Sequence, residues 1–161
     1  MDFQLAQLNI GLAKGPMDGR VMAGFAAELD RINALADGAP GFVWRLQTED
    51  GDATAIRPYE DERMMVNMSV WDSIEELRRF VYTSGHTAVM RHRKEWFEKL
   101  ETYLVLWWVP AGHEPTVDEA KERLEHLKAH GPAPYAFTFR ASFPHPSSYT
   151  LIVDDEIGCP A

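Results

Sequence analysis

Apolar positions in this chain either alternate or recur at helical spacing, and the two patterns follow one another in a definite order. FQLAQLNI at 3–10 reads as a first strand, with Phe3 and Leu5 to one side and Leu8 and Ile10 to the other. Neither side is cleanly polar, so both faces are expected to be partly covered. Asp18 is a candidate N-cap for a helix running to about Ala36, whose apolar stripe is Met22, Phe25, Leu29 and Ile32. Gly38 suits a left-handed cap at its end. FVWRLQT at 42–48 is a second strand, placing Phe42, Trp44 and Leu46 on one face and Val43, Arg45 and Gln47 on the other. A polar connection broken by Pro58 is long enough to fold over a site. ERMMVNMSVW at 62–71 is a third strand, alternating Met64, Val66, Met68 and Val70 with Met65, Asn67, Ser69 and Trp71.

Asp72 or Ser73 caps the next helix, which buries Ile74, Leu77, Phe80 and Val81. After an interruption at Thr83-Ser84-Gly85, the stretch 82–97 (YTSGHTAVMRHRKEWF) is the densest mixture of aromatic, basic and imidazole groups in the chain. As a helix it aligns His86, Met90, Arg93 and Phe97 on one stripe, and Val89, Arg93, Trp96 and Leu100 on the next. TYLVLWWVP at 102–110 is a fourth strand, with Tyr103, Val105 and Trp107 opposite Leu104, Leu106 and Trp108. Strand, helix, strand, strand, helix, strand is an α+β order, the ferredoxin-like split β-α-β sandwich. One sheet face takes these helices. The other is also apolar, and a second copy is the simplest cover, giving a homodimer with facing sheets, a dimeric α/β barrel. An additional C-terminal helix follows, capped by Thr116 and carrying Val117, Ala120, Leu124 and Leu127. YAFTFRASF at 135–143 reads as a fifth strand, and 144–161 as an irregular tail. Residues 1–143 then form a single domain.

Composition narrows the classes. The chain has 161 residues, enough for one well-cored domain. A single cysteine, Cys159, excludes an intrachain disulfide, and the opening residues lack a signal-peptide pattern, so a cytoplasmic protein is expected. LVLWWV at 104–109 is far too short to span a bilayer, so no membrane role is expected. A formal charge of −9 disfavours nucleic acid, although a small anion remains compatible with the local basic cluster at 91–94.

Several blocks resemble a known family: LAQLNIG at 5–11, the strand around Trp44, SVWDSIEELRRFVY at 69–82, SGHTAVMRHRKEWF at 84–97, LVLWWVPAGHEPT at 104–116 and HGPAPYAFTF at 130–139. Across roughly 3–143 the chain is similar to an uncharacterised family of dimeric α/β-barrel proteins related to antibiotic-biosynthesis monooxygenases. Ala133 stands where that family is expected to have threonine. The resemblance implies the fold and the dimer, within a superfamily of cofactor-less monooxygenases, haem enzymes, isomerases, cyclases and structural members. It transfers no catalytic set.

Two functional classes stay open. One is an oxygenase or isomerase acting on an apolar aromatic or polyketide-like compound, without a cofactor. Its pocket would be lined by Trp44, Met65, Met90, Tyr103 and Trp107, with His86 as base and Asn67 or Arg45 stabilising a developing oxyanion. The other is a non-catalytic binding or structural dimer, in which these aromatics are core or interface and His86 is structural. A haem-binding variant, with one histidine as proximal ligand, is a further alternative. No metal site is expected, because His86 and His92 lie six residues apart and would point away from each other on one helix.

Overall fold

The computed structural model describes residues 2–48, 54, 59–83 and 90–146. Its centre is β1 (Phe3–Ala13), longer than the alternation predicts, which pairs antiparallel with β3 (Met64–Trp71) on one side. On the other side β1 pairs with two strands in succession, β4 (Phe97–Glu98) at its C-terminal end and β5 (Leu104–Pro110) along the rest. The short β2 (Phe42–Arg45) adds to the far edge of β3. The order β2-β3-β1-β4/β5 is that of the ferredoxin-like sheet.

Helix α1 (Ala23–Asp37) begins later than expected. Residues before it form turns, Asp18 does not cap it, and the position ahead of its first turn is Met22. Gly38 ends it with a negative φ of −97°; the glycine that takes positive φ here is Gly41, at 82°. Helix α2 (Ile74–Thr83) is capped as expected, its Glu76 N–H donating to Ser73 Oγ at 3.1 Å.

The stretch 82–97 departs furthest from expectation. Residues 84–89, including His86, lie outside the described residues. Beyond them a short α3 (Arg93–Trp96) ends at once, because Phe97 adopts extended backbone and joins the sheet as β4. The predicted helical stripe through Leu100 therefore does not exist.

Helix α4 (Val117–His130) follows the sequence reading closely. Thr116 Oγ1 accepts from Glu119 N–H at 3.1 Å, and Gly131 closes the helix at φ 75°. Its buried Ala120, Leu124 and Leu127 pack on Ala6, Leu8, Val105, Trp107 and Val109. This is the sheet face that the sequence argument left bare for a second copy. The chain covers it itself, and Leu8, Met68, Val105 and Trp107 are all at most 1% exposed without a partner. Burial of this face therefore does not by itself call for a second copy.

The expected fifth strand is reduced to a bridge. Leu106 and Phe137 exchange backbone hydrogen bonds of 2.8 and 2.9 Å on the outer edge of β5, but pairing extends no further. Pro132 and Pro134 lie just before this point, and proline cannot donate to a ladder. Of the expected tail, 147–161 lies outside the described residues.

Candidate functional site

On the face opposite α4, β1 presents Leu5, Gln7, Asn9 and Gly11, and β3 presents Met65, Asn67, Ser69 and Trp71, paired in register. Bulky groups stand at the two ends of this surface. Leu5, Trp71, Leu77, Phe80, Leu106 and Phe137 form one cluster beneath α1 and α2. Ala13, Met22, Trp96 and Phe97 form another, joined by Phe25 and Met65. Between them the sheet carries amides, a hydroxyl and a glycine, which cannot fill the space below α1.

The result is a cavity with two lobes, of about 120 and about 220 Å³, sharing Asn9, Ile32, Asn33, Asn67 and Met90 as walls. Together they reach the lower end of the range for small-molecule sites, about 300–1,000 Å³. The first lobe adds Phe25, Leu29, Met65, Trp96 and Phe97; the second adds Trp71, Leu77, Phe80 and Tyr103. The predicted stripe of α1 (Phe25, Leu29, Ile32) thus serves as a cavity wall.

Polar groups on the floor are ordered by one another. Gln7 Nε2 donates to Asn67 Oδ1 and to Ser69 Oγ, both at 2.8 Å, and Trp71 Nε1 donates to Ser69 Oγ at 2.8 Å. Gln7 and Ser69 are buried, whereas Asn67 is exposed and borders both lobes. With its oxygen occupied by Gln7, Asn67 turns an amide NH2 to the cavity.

Arg93 lines the first lobe from α3. One guanidinium N–H donates to Ile10 O at 3.0 Å. The group lies 5.1 Å from the Phe97 ring centroid and 4.7 Å from that of Tyr103, within cation–π range of both. Burial pulls its pKa below the usual arginine value, with Tyr103 opposing. Among the described residues no carboxylate pairs with it.

The residues picked from sequence separate into three groups. Met65, Asn67, Met90 and Tyr103 line the cavity. Arg45 borders the second lobe, but its guanidinium is engaged with Asp37 at the end of α1, at 2.7 and 3.3 Å, and is not placed as a spare oxyanion donor. Trp44 and Trp107 lie on the wrong face. A bulge between Phe42 and Trp44 puts Phe42 against Trp71 but Trp44 and Leu46 with the α4-covered core. Trp107 is fully buried beside α4, and its indole N–H donates to Glu119 at 2.9 Å. His86 lies outside the described residues.

Sequence reading missed Gln7, Asn9, Asn33 and Arg93. The available signal was the row Gln7-Asn9-Gly11, polar or small at alternate positions of a strand central enough to be covered on both faces. Arg93 stands on both predicted stripes and in the basic cluster at 91–94, but spacing alone does not single it out from Arg91 and Lys94, because it does not place Phe97 and Tyr103 around it. Among the described residues no three metal-ligating side chains come together, and no helix is long and apolar enough to cross a membrane.

Comparison with solved structures finds two crystal structures of SnoaB, a cofactor-independent oxygenase from Streptomyces nogalater. One, a single-residue variant, is 17% identical with a TM-score of 0.44, covering 69% of this chain and 95% of that one. The other is 18% identical with a TM-score of 0.44, covering 73% and 98%. A protein of unknown function from Nitrosomonas europaea is 14% identical with a TM-score of 0.45, covering 71% and 96%. At these values the likenesses carry no inference about activity. Comparison with curated proteins gives no match. Residues 4–151 match the family described as domain of unknown function (DUF3291), and the chain belongs to that family.

Proposed function

We propose that the protein binds a small, largely apolar aromatic molecule in the cavity between the sheet and α1. The observation that carries this reading is the interrupted core on that face. Apolar clusters stand at both ends, while an ordered amide row at the centre leaves room between them. Amides on the inner face of a central strand weaken a packed core, but they suit a site that must orient a ligand. Asn67 supplies a fixed donor, and Met65 and Met90 are adaptable apolar walls.

A preorganised amide N–H beside an apolar wall also suits stabilisation of an enolate or peroxide oxygen. Oxygen-dependent turnover without a cofactor is therefore the reaction we propose, with His86 as the base and Asn67 as the oxyanion donor. The test is calorimetric titration with a panel of aromatic and polyketide-like compounds, followed by oxygen-electrode measurements on those that bind. Asn67→Leu should abolish turnover, as should His86→Ala with binding retained. Binding without oxygen uptake, unchanged by either substitution, would reduce the function to carriage. Failure of every compound to bind would refute the reading. The cavity is lined within one chain, and sedimentation tests whether a second copy associates with it.

A further inference from the structure

Amides and hydroxyls line the cavity, and Arg93 is the cation there for which no carboxylate partner is seen among the described residues. Asn67 accepts from Gln7 through its oxygen, which orients the amide and leaves its NH2 to donate. Arg93 offers the guanidinium N–H groups not used by Ile10 O, and a full positive charge. Its apolar neighbours, Phe97 and Tyr103, attract that charge through their ring faces without neutralising it. The acidic group at the cavity, Glu28, is already engaged by Arg31, with Arg31 Nε donating at 2.7 Å. Among the described residues no carboxylate pairs with Arg93, and a half-buried cation so placed is costly unless something supplies the opposite charge.

Resting on the binding function proposed above, we infer that the ligand is an apolar aromatic acid, whose single carboxylate or phenolate oxygen is held by Arg93 and Asn67. In the first lobe Phe25, Leu29, Met65, Trp96 and Phe97 form an apolar wall around Arg93, which suits a ligand with one anionic end and an apolar body. A formal charge of −9 over the whole chain works against multiply charged anions, and one isolated guanidinium matches one charge. The guanidinium's position at Ile10 places it beside Asn9 and Gly11 on the cavity floor, within the same first lobe as Trp96 and Phe97.

The test compares 2-naphthoate with its neutral amide, 2-naphthamide, by calorimetry on the full chain. The acid should bind more tightly than the amide. Arg93→Met should weaken the acid by about tenfold to hundredfold, the loss of a charge-assisted hydrogen bond, and weaken the amide several-fold less, because its carbonyl loses only a neutral one. Arg93→Lys keeps the charge but loses the planar fork, so its acid affinity should fall between the two. It also keeps the inference testable if the methionine variant unfolds. Equal binding of acid and amide to the unsubstituted protein would overturn the charge assignment and leave the binding function standing. Binding of neither probe would overturn the inference, and the binding function with it if the wider aromatic panel also fails to bind.

Discussion

Leu124→Ala tests whether α4 is an integral part of the core. Leu124 is fully buried, packed among side chains of β1 and β5, so truncation removes buried methyl groups from a closed site. Burying a leucine contributes about 1.5–3 kcal/mol, and the vacated space adds about 24 cal/mol per Å³. The expected destabilisation is therefore about 3 kcal/mol, within the observed span of about 2.7–5 kcal/mol for such changes. For a chain of this length, each kcal/mol lowers Tm by about 2–4 °C, so the expected drop is about 6–12 °C. The assay is urea and thermal unfolding followed by circular dichroism, at two protein concentrations differing about a hundredfold. Leu35→Ala, on the exposed side of α1, is the control, with an effect of about 0.5 kcal/mol or less. The reasoning fails if Leu124→Ala costs no more than the control. It also fails if Tm of the unsubstituted protein climbs with concentration and Leu124→Ala abolishes that rise, because the sheet face would then be closed by another copy.

Gly11→Ala should both destabilise the fold and impair ligand binding: its new methyl would lie 2.6 Å from the Phe97 ring, and the repacking costs about 1–3 kcal/mol in denaturant unfolding. Thr116→Ala removes the acceptor for Glu119 N–H and should lower stability by about 1 kcal/mol, read from the urea midpoint at constant slope. His126 provides a pH signature. Partial burial, then the charges of His130 and Arg123, hold its pKa below the ordinary histidine value of 6.5. The folded chain thus binds fewer protons than the unfolded chain as pH falls through that value, and stability declines with it. Between about pH 7.5 and about pH 5.5, Tm should fall more in the unsubstituted protein than in His126→Gln; equal slopes would refute this.

Alternation and capping made most of the framework legible. The strand at 62–71, the Ser73 and Thr116 caps and the buried stripe of α4 could all be read from spacing, since each depends on near neighbours in the chain. What spacing does not encode is the surface a stripe will meet. Ala120, Leu124 and Leu127 announce a buried face, but only the assembled sheet shows that it lands on Trp107. Trp107 was assigned to the cavity for that reason. Phe97 was lost to helical periodicity because an apolar residue after Trp96 fits a helix or a strand equally well; pairing with Ala13 decides it. The cavity itself was half visible. Met65, Asn67 and Met90 were in view, while Gln7 and Asn9 were overlooked as ordinary strand polarity.

The irregularity in β2 has an evolutionary consequence. Two steps along that strand, Phe42 to Trp44, match one step on β3, from Trp71 to Val70, so Val43 is surplus to the pairing. Loss of its codon would straighten the margin of the sheet and leave Phe42, Trp44 and Arg45 each opposite its present neighbour. A codon lost from the middle of β1 or β3 would instead exchange inside for outside along the rest of the strand, emptying the amide row and burying it under α4. Length variation among descendants of this chain should therefore be tolerated at that rim long before it is tolerated at the centre.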